Sequence, residues 1–212
     1  QVQESQRQGP VWLWRKLQSV NQFRVSSHNP ELETDMALDF SQNYFELFGL
    51  QPRFRLDLAM LESCYRDIQN KVHPDKFAHL SEAERRVSMQ WATHANEAYQ
   101  ILRRPLSRAR YLLQLQGVPT REETNTAMPA EFLMTQMEWR EAIQDARSAR
   151  DGDGLLHLES KLGHELQGME ESLARLLDVD KDFWTAAETV RKWRFLEKLQ
   201  HEIGEALEAI EE

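Results

Sequence analysis

The sequence predicts an all-α protein, with a helical hairpin in its N-terminal half followed by a C-terminal three-helix bundle. Three observations lead there. Apolar residues recur at helical spacing in segment after segment, the segments open on N-cap residues and close on Gly or Pro, and no β-rich alternating run interrupts them. The last three helical segments are joined only by "DGDG" and "DVDKD", connections so short that chain neighbours must pack antiparallel.

Residues 1–35 are rich in Gln, Ser and Asn and lie ahead of Met36, where "MALDFSQNYFELFGL" reads like the start of a domain. They are set aside as a leader or extension, expected to be poorly ordered. Their "VWLWRKLQSV" stretch, broken by Arg15 and Lys16, suits an amphipathic segment, an ordinary packing segment or a tail.

Residues 36–117 carry the hairpin. A short helix around Tyr44–Phe48 gives way to the turn "GLQPRFRLD", and Asp57 is the N-cap of the next helix. In that helix Leu58, Leu61, Tyr65, Ile68 and Val72 span only about 80 degrees of the wheel, one buried stripe. Ser81 with Glu84 forms a capping box for a helix carrying Val87, Trp91, His94, Ala95, Ala98, Ile101 and Leu102. Pro105 closes it, and "LSRARYLLQLQG" supplies a fourth helix ended by Gly117. The aperiodic "VPTREETNTAMP" places a linker at 118–129. The bundle of residues 130–212 follows, with helices over about 130–150, 154–177 and 182–210.

Between the hairpin helices stands His73-Pro74-Asp75-Lys76. Pro74 disfavours helix at the residues before it and cannot donate to a helical ladder, so a loop must begin there. That loop presents the Asp75 carboxylate in a constrained local frame, to an arginine or a backbone amide of another molecule.

The first bundle helix has two apolar faces. With Phe132 at zero on the wheel, Trp139, Ala142, Ile143 and Ala146 fall within about 80 degrees, a core stripe. Leu133, Met137 and Met134 fall at roughly 100, 140 and 200 degrees, beside Glu141, Asp145 and Glu138 at roughly 180, 220 and 240. A helix buried on both sides is the alternative, but it would bury three carboxylates at heavy cost. Adaptable methionines beside a charged rim suit a protein-binding surface.

Charge narrows the partner class. The net charge of −9 divides as 0 over residues 1–35 (four basic, four acidic), +2 over 36–117 (eleven, nine) and −11 over 118–212 (eleven, twenty-two). An acidic C-terminal half argues against a phosphate backbone as partner and for a protein. No run approaches the roughly 18 apolar residues of a membrane span. The single cysteine, Cys64, allows no internal disulfide and no cysteine-based zinc cluster, so a reducing, cytoplasmic setting is expected. His73, His79 and His94 with Asp75 have no recognised metal spacing, and no phosphate loop or nucleophile, base and orienter set is found. The expectation is a protein without metal or cofactor that is not an enzyme.

"YFELFGL", "LESCYRDIQNKVHPDK" and "ANEAYQILRRPLSRARYLL" resemble a J-domain. With "FLMTQMEWREAI" and "TVRKWRFLEKLQ" added, residues 40–210 resemble the HscB family, J-type co-chaperones of bacterial iron-sulfur cluster assembly. The resemblance implies that His73, Pro74 and Asp75 engage the DnaK-type ATPase chaperone HscA and stimulate its ATP hydrolysis. J-domains also carry a basic face ahead of this loop, for which Lys76 and Arg66 are the leading candidates, with Lys71, Arg53 and Arg55 behind them. It implies further that the cluster scaffold IscU is held by Leu133, Met134, Met137, Glu138, Glu141 and Asp145, with Phe195 from the last helix. Met137 stands where the family usually has Leu, and Asp145 where it has Glu. A general J-domain co-chaperone delivering unfolded clients is the alternative, but its Gly/Phe-rich linker and cysteine-rich modules are missing. A cluster-carrying helical protein is opposed by the lone cysteine.

Overall fold

The computed structural model describes residues 42–72, 82–122 and 129–211. Their regular elements are all helical: α1 (Tyr44–Leu47), α2 (Leu58–Val72), α3 (Glu82–Arg103), α4 (Pro105–Leu115), α5 (Ala130–Ser148), α6 (Gly152–Arg175) and α7 (Phe183–Glu211). A π-helical turn, Leu176–Asp180, follows α6 directly. Packing divides the described chain into two compact units. The first holds the residues up to Pro52 together with Leu56–Arg104, the second Arg53–Arg55 together with the chain from Pro105 onward.

In the first unit, local chemistry sets the ends of the elements. The Asn43 side chain accepts from the backbone N–H groups of Phe45 and Glu46, while Glu46 accepts from the Asn43 N–H, a complete capping box on a helix of one turn. Gly49, at φ 68°, turns the chain out of α1 and lets the Leu50 N–H reach the Phe45 carbonyl at 2.8 Å. Asp57 caps α2 as expected, accepting from the N–H groups of Ala59 and Met60 at 3.0 Å each.

α2 and α3 form the hairpin. Leu61 and Ile68 are buried with Trp91, Ala95, Ala98 and Leu102, and the residues of α1 add Phe45 and Leu47 to this core. Tyr65 stacks on Tyr99 with centroids 4.2 Å apart. The expected stripe is corrected at one end, because Leu58, in the first turn beside the cap, is 49% exposed. Periodicity marks the side a residue points to, not how far a neighbouring helix reaches along it. The Val72 side chain, the Ser81–Glu84 box and residues 73–81 lie outside the described residues.

The second unit begins with α4, whose Leu106, Ala109, Leu112 and Leu113 are buried and which packs on α7. Gly117, at φ 69°, ends the α4 segment with the Val118 N–H donating to the Leu113 carbonyl at 2.9 Å. The three-helix core is built from Trp139 and Ile143 of α5, Leu155 and Leu162 of α6, and Leu196, Leu199, Ile203 and Ala206 of α7.

The connections between the bundle helices are tighter than spacers. Asp151 caps α6 through the Gly154 N–H at 2.9 Å, and a Cβ on Gly154 would force the Asp151 carboxylate to shift, so the second glycine of "DGDG" leaves room for the cap as it stands. In "DVDKD" the π-helical turn ends at Lys181, held left-handed at φ 55°, before Asp182 caps α7 through the N–H and hydroxyl of Thr185.

Candidate functional site

The candidate docking side chains are carried on α5, a helix long enough to present two faces. Trp139 and Ile143 are 5% and 6% exposed, whereas Leu133, Met134 and Met137 are 42%, 63% and 69% exposed. Glu138, Glu141 and Asp145 are exposed as well, and no ion pair engages them among the described residues. Holding three large apolar side chains in contact with water is a standing cost, recovered when a partner covers them.

Phe195 of α7 meets α5 at Phe132. It is half-buried, and its ring meets that of Phe132 edge to face, centroids 5.9 Å apart at 76°. Phe132, expected in the core stripe, is likewise only half-buried. Below the face, Lys161 lies over the Trp139 ring, 4.9 Å from its centroid, and Arg140 pairs with Glu202 of α7 at 3.5 Å. The structure thus brings the six expected α5 residues onto one exposed side and sets Phe195 beside Phe132.

Sequence reasoning missed Gln136, which is buried with its Nε2 unpaired by any protein acceptor. It falls about 40 degrees from Phe132 on the wheel, so its place on the core stripe could have been read.

A second set of polar contacts, without a local sequence signal, fastens the unit together. The Asp178 carboxylate, in the π-helical turn, accepts from the Phe54 N–H at 2.6 Å and from the Arg55 N–H at 2.8 Å. The Phe54 ring is fully buried and lies under the Arg108 guanidinium, 4.9 Å from the ring centroid. Burial pushes Arg108 below its ordinary value, against the opposing pull of Glu170 and Asp178. Glu122 accepts two hydrogen bonds from Arg110, at 2.8 and 2.5 Å, and lies 4.0 Å from Arg194. Burial alone would raise its carboxyl, but the Arg110 contacts, with Thr120 and Arg194, outweigh that and hold it below the ordinary glutamate value.

Of the candidate chaperone-facing residues, Arg66 is exposed on α2 and pairs with Glu62 one turn earlier. Arg53 and Arg55 are exposed but belong to the second unit. Lys71 lies in α2 with its side chain outside the described residues, as are His73, Pro74, Asp75 and Lys76. Among the described residues there is no cluster of three or more His, Cys, Asp or Glu side chains fit to hold a metal, and no helix long and apolar enough to cross a membrane.

A capped one-turn helix, a helical hairpin and a C-terminal three-helix bundle with one exposed apolar and acidic face are the architecture expected of a J-type co-chaperone. The family model described as the HSCB C-terminal oligomerisation domain matches residues 128–204. The Co-chaperone protein HscB homolog of Aromatoleum aromaticum is 52% identical over 176 residues, 83% of this chain and 99% of the relative. That of an Azoarcus species is 53% identical over the same shares. Among solved structures, chaperone HscB from Vibrio cholerae matches at 36% identity with a TM-score of 0.71, over 80% of this chain and 99% of that one. Human co-chaperone protein HscB matches at 28% and 0.74, over 84% and 91%. The chain belongs to the HscB co-chaperone family.

Proposed function

We propose that this protein binds the iron-sulfur cluster scaffold IscU through α5 and Phe195, delivers it to the DnaK-type chaperone HscA, and stimulates HscA to hydrolyse ATP. One observation carries the scaffold half: Leu133, Met134 and Met137 stand in solvent on the helix that also exposes three carboxylates without an ion pair among the described residues, and its other side is packed by Trp139 and Ile143. A centre of apolar contact with a charged rim fits a folded partner.

The chaperone half rests on His73-Pro74-Asp75 between two hairpin helices, with Arg66, Lys71 and Lys76 as the basic side chains nearest in sequence. The protein acts by coupling two binding events, one of which accelerates its partner's chemistry.

The test is the steady-state ATPase of HscA with this protein, with and without IscU. Stimulation is expected from each alone and more from both. Asp75→Asn should abolish the co-chaperone's share while leaving its circular dichroism spectrum and scaffold binding intact. Full stimulation by Asp75→Asn would overturn the role given to the loop.

A further inference from the structure

The aromatic seam between α5 and α7 carries positive charge that the site described above does not use. Lys192 Nζ of α7 lies 5.9 Å from the centroid of Phe132 on the facing helix, and Lys198 Nζ lies 5.8 Å from that of Phe195. The two rings touch edge to face, so the seam is an aromatic pair with an ammonium over each member. Neither lysine makes an ion pair among the described residues, although residues 118–212 hold twice as many acidic as basic side chains. An ammonium resting on a ring face still has N–H donors to give, and a carboxylate is its natural acceptor.

Resting on the scaffold-binding role proposed above, we infer that Lys192 and Lys198 form a second, cationic half of the same docking face. The scaffold protein then presents a carboxylate to these lysines and a basic group to Glu138, Glu141 and Asp145. The two signs stand on different helices, and the Phe132 and Phe195 rings touch where those helices meet. A partner that matches both seats in one orientation, because turning it round would set like charges together. The apolar residues of α5 supply adhesion, and the opposed charges supply direction.

The experiment measures the affinity of the full chain for IscU by titration calorimetry at low and at physiological salt. Charge reversal at both lysines (Lys192→Glu with Lys198→Glu) should weaken binding by about tenfold or more, with the loss shrinking as salt screens it. The paired change to arginine, which keeps the charge and the seat on the ring, should bind within about twofold of the original. If reversal lowers the melting temperature, the paired change to glutamine takes its place, with a loss of a few fold expected.

Leu133→Ala separates the two levels of the proposal. Normal binding by the reversed protein, with binding lost in Leu133→Ala, overturns the cationic half and leaves the scaffold role standing. Normal binding by both overturns the scaffold role of this face and the inference with it. Equal loss in the glutamate and arginine pairs would mean that shape, not charge, matters at these positions, and overturns the inference too. So does a reversal that changes only self-association in sedimentation, since the lysines would then serve a second copy of the chain.

Discussion

Asp178 receives two backbone N–H groups from residues more than a hundred positions earlier, one on each carboxylate oxygen. Asp178→Ala should therefore leave both donors without their acceptor and lower stability by roughly 1 to 3 kcal/mol, read from urea unfolding. Asp178→Asn, which keeps one acceptor oxygen, should lose less. Glu122 answers to pH instead. Its folded-state carboxyl lies below the ordinary glutamate value, so its contribution is complete above about pH 4.3 and is lost as pH falls through the lower folded-state value. Thermal melts in that acid range should show a shallower pH dependence for Glu122→Gln than for the original. Neither carboxylate was legible as a fastening: Asp178 read as part of a spacer and Glu122 as part of a linker, because local pattern holds no record of a partner distant in sequence.

At the scale of the element, the docking face proposed on α5 makes stability and binding separable on one helix. Alanine at Trp139 or Ile143 should destabilise the bundle by roughly 2 to 5 kcal/mol through cavity formation, measured by chemical unfolding. Alanine at Leu133, Met137 and Phe195 together should leave the unfolding midpoint nearly unchanged while weakening scaffold binding by roughly 1 to 3 kcal/mol. Unfolding of the second set as severe as the first would show that this face is core. The two faces could be read from the sequence because one helix reports both on a single wheel, and Trp139 and Leu133 differ there by more than a quarter turn. Caps were legible for the same reason: Asp57 acts on N–H groups two and three residues away. The π-helical turn was not, since "DVDKD" looks like any polar break, and the seat of Lys192 on Phe132 needs two helices at once.

At the scale of the whole molecule, composition and packing mark different places. The polar run after Gly117 follows the end of α4, while packing divides the chain one helix earlier, between Arg104 and Pro105. A linker is visible as turn residues, but a helix's allegiance depends on which neighbour covers its apolar side, and α4 is covered by α7. The division is also not a single cut, because Arg53–Arg55 sit in the second unit while the residues on either side of them belong to the first. A fragment beginning at Pro105 lacks the Phe54 ring, and its urea midpoint should fall below that of the second unit in the intact chain. Phe54→Ala in the full protein should reproduce the loss, roughly 3 to 5 kcal/mol; equal stability of fragment and intact unit would mean that the second unit does not depend on the Phe54 ring.

That interleaving bears on how such proteins can be recombined. A hairpin taken from one relative and grafted ahead of another's bundle brings its own three-residue plug with it, and the plug must suit a foreign Arg108 and Asp178. Chimaeras joined at the obvious seam should therefore fold best when residues 53–55 are inherited from the parent of the bundle, so that this tripeptide travels with the half it completes rather than with the half that surrounds it.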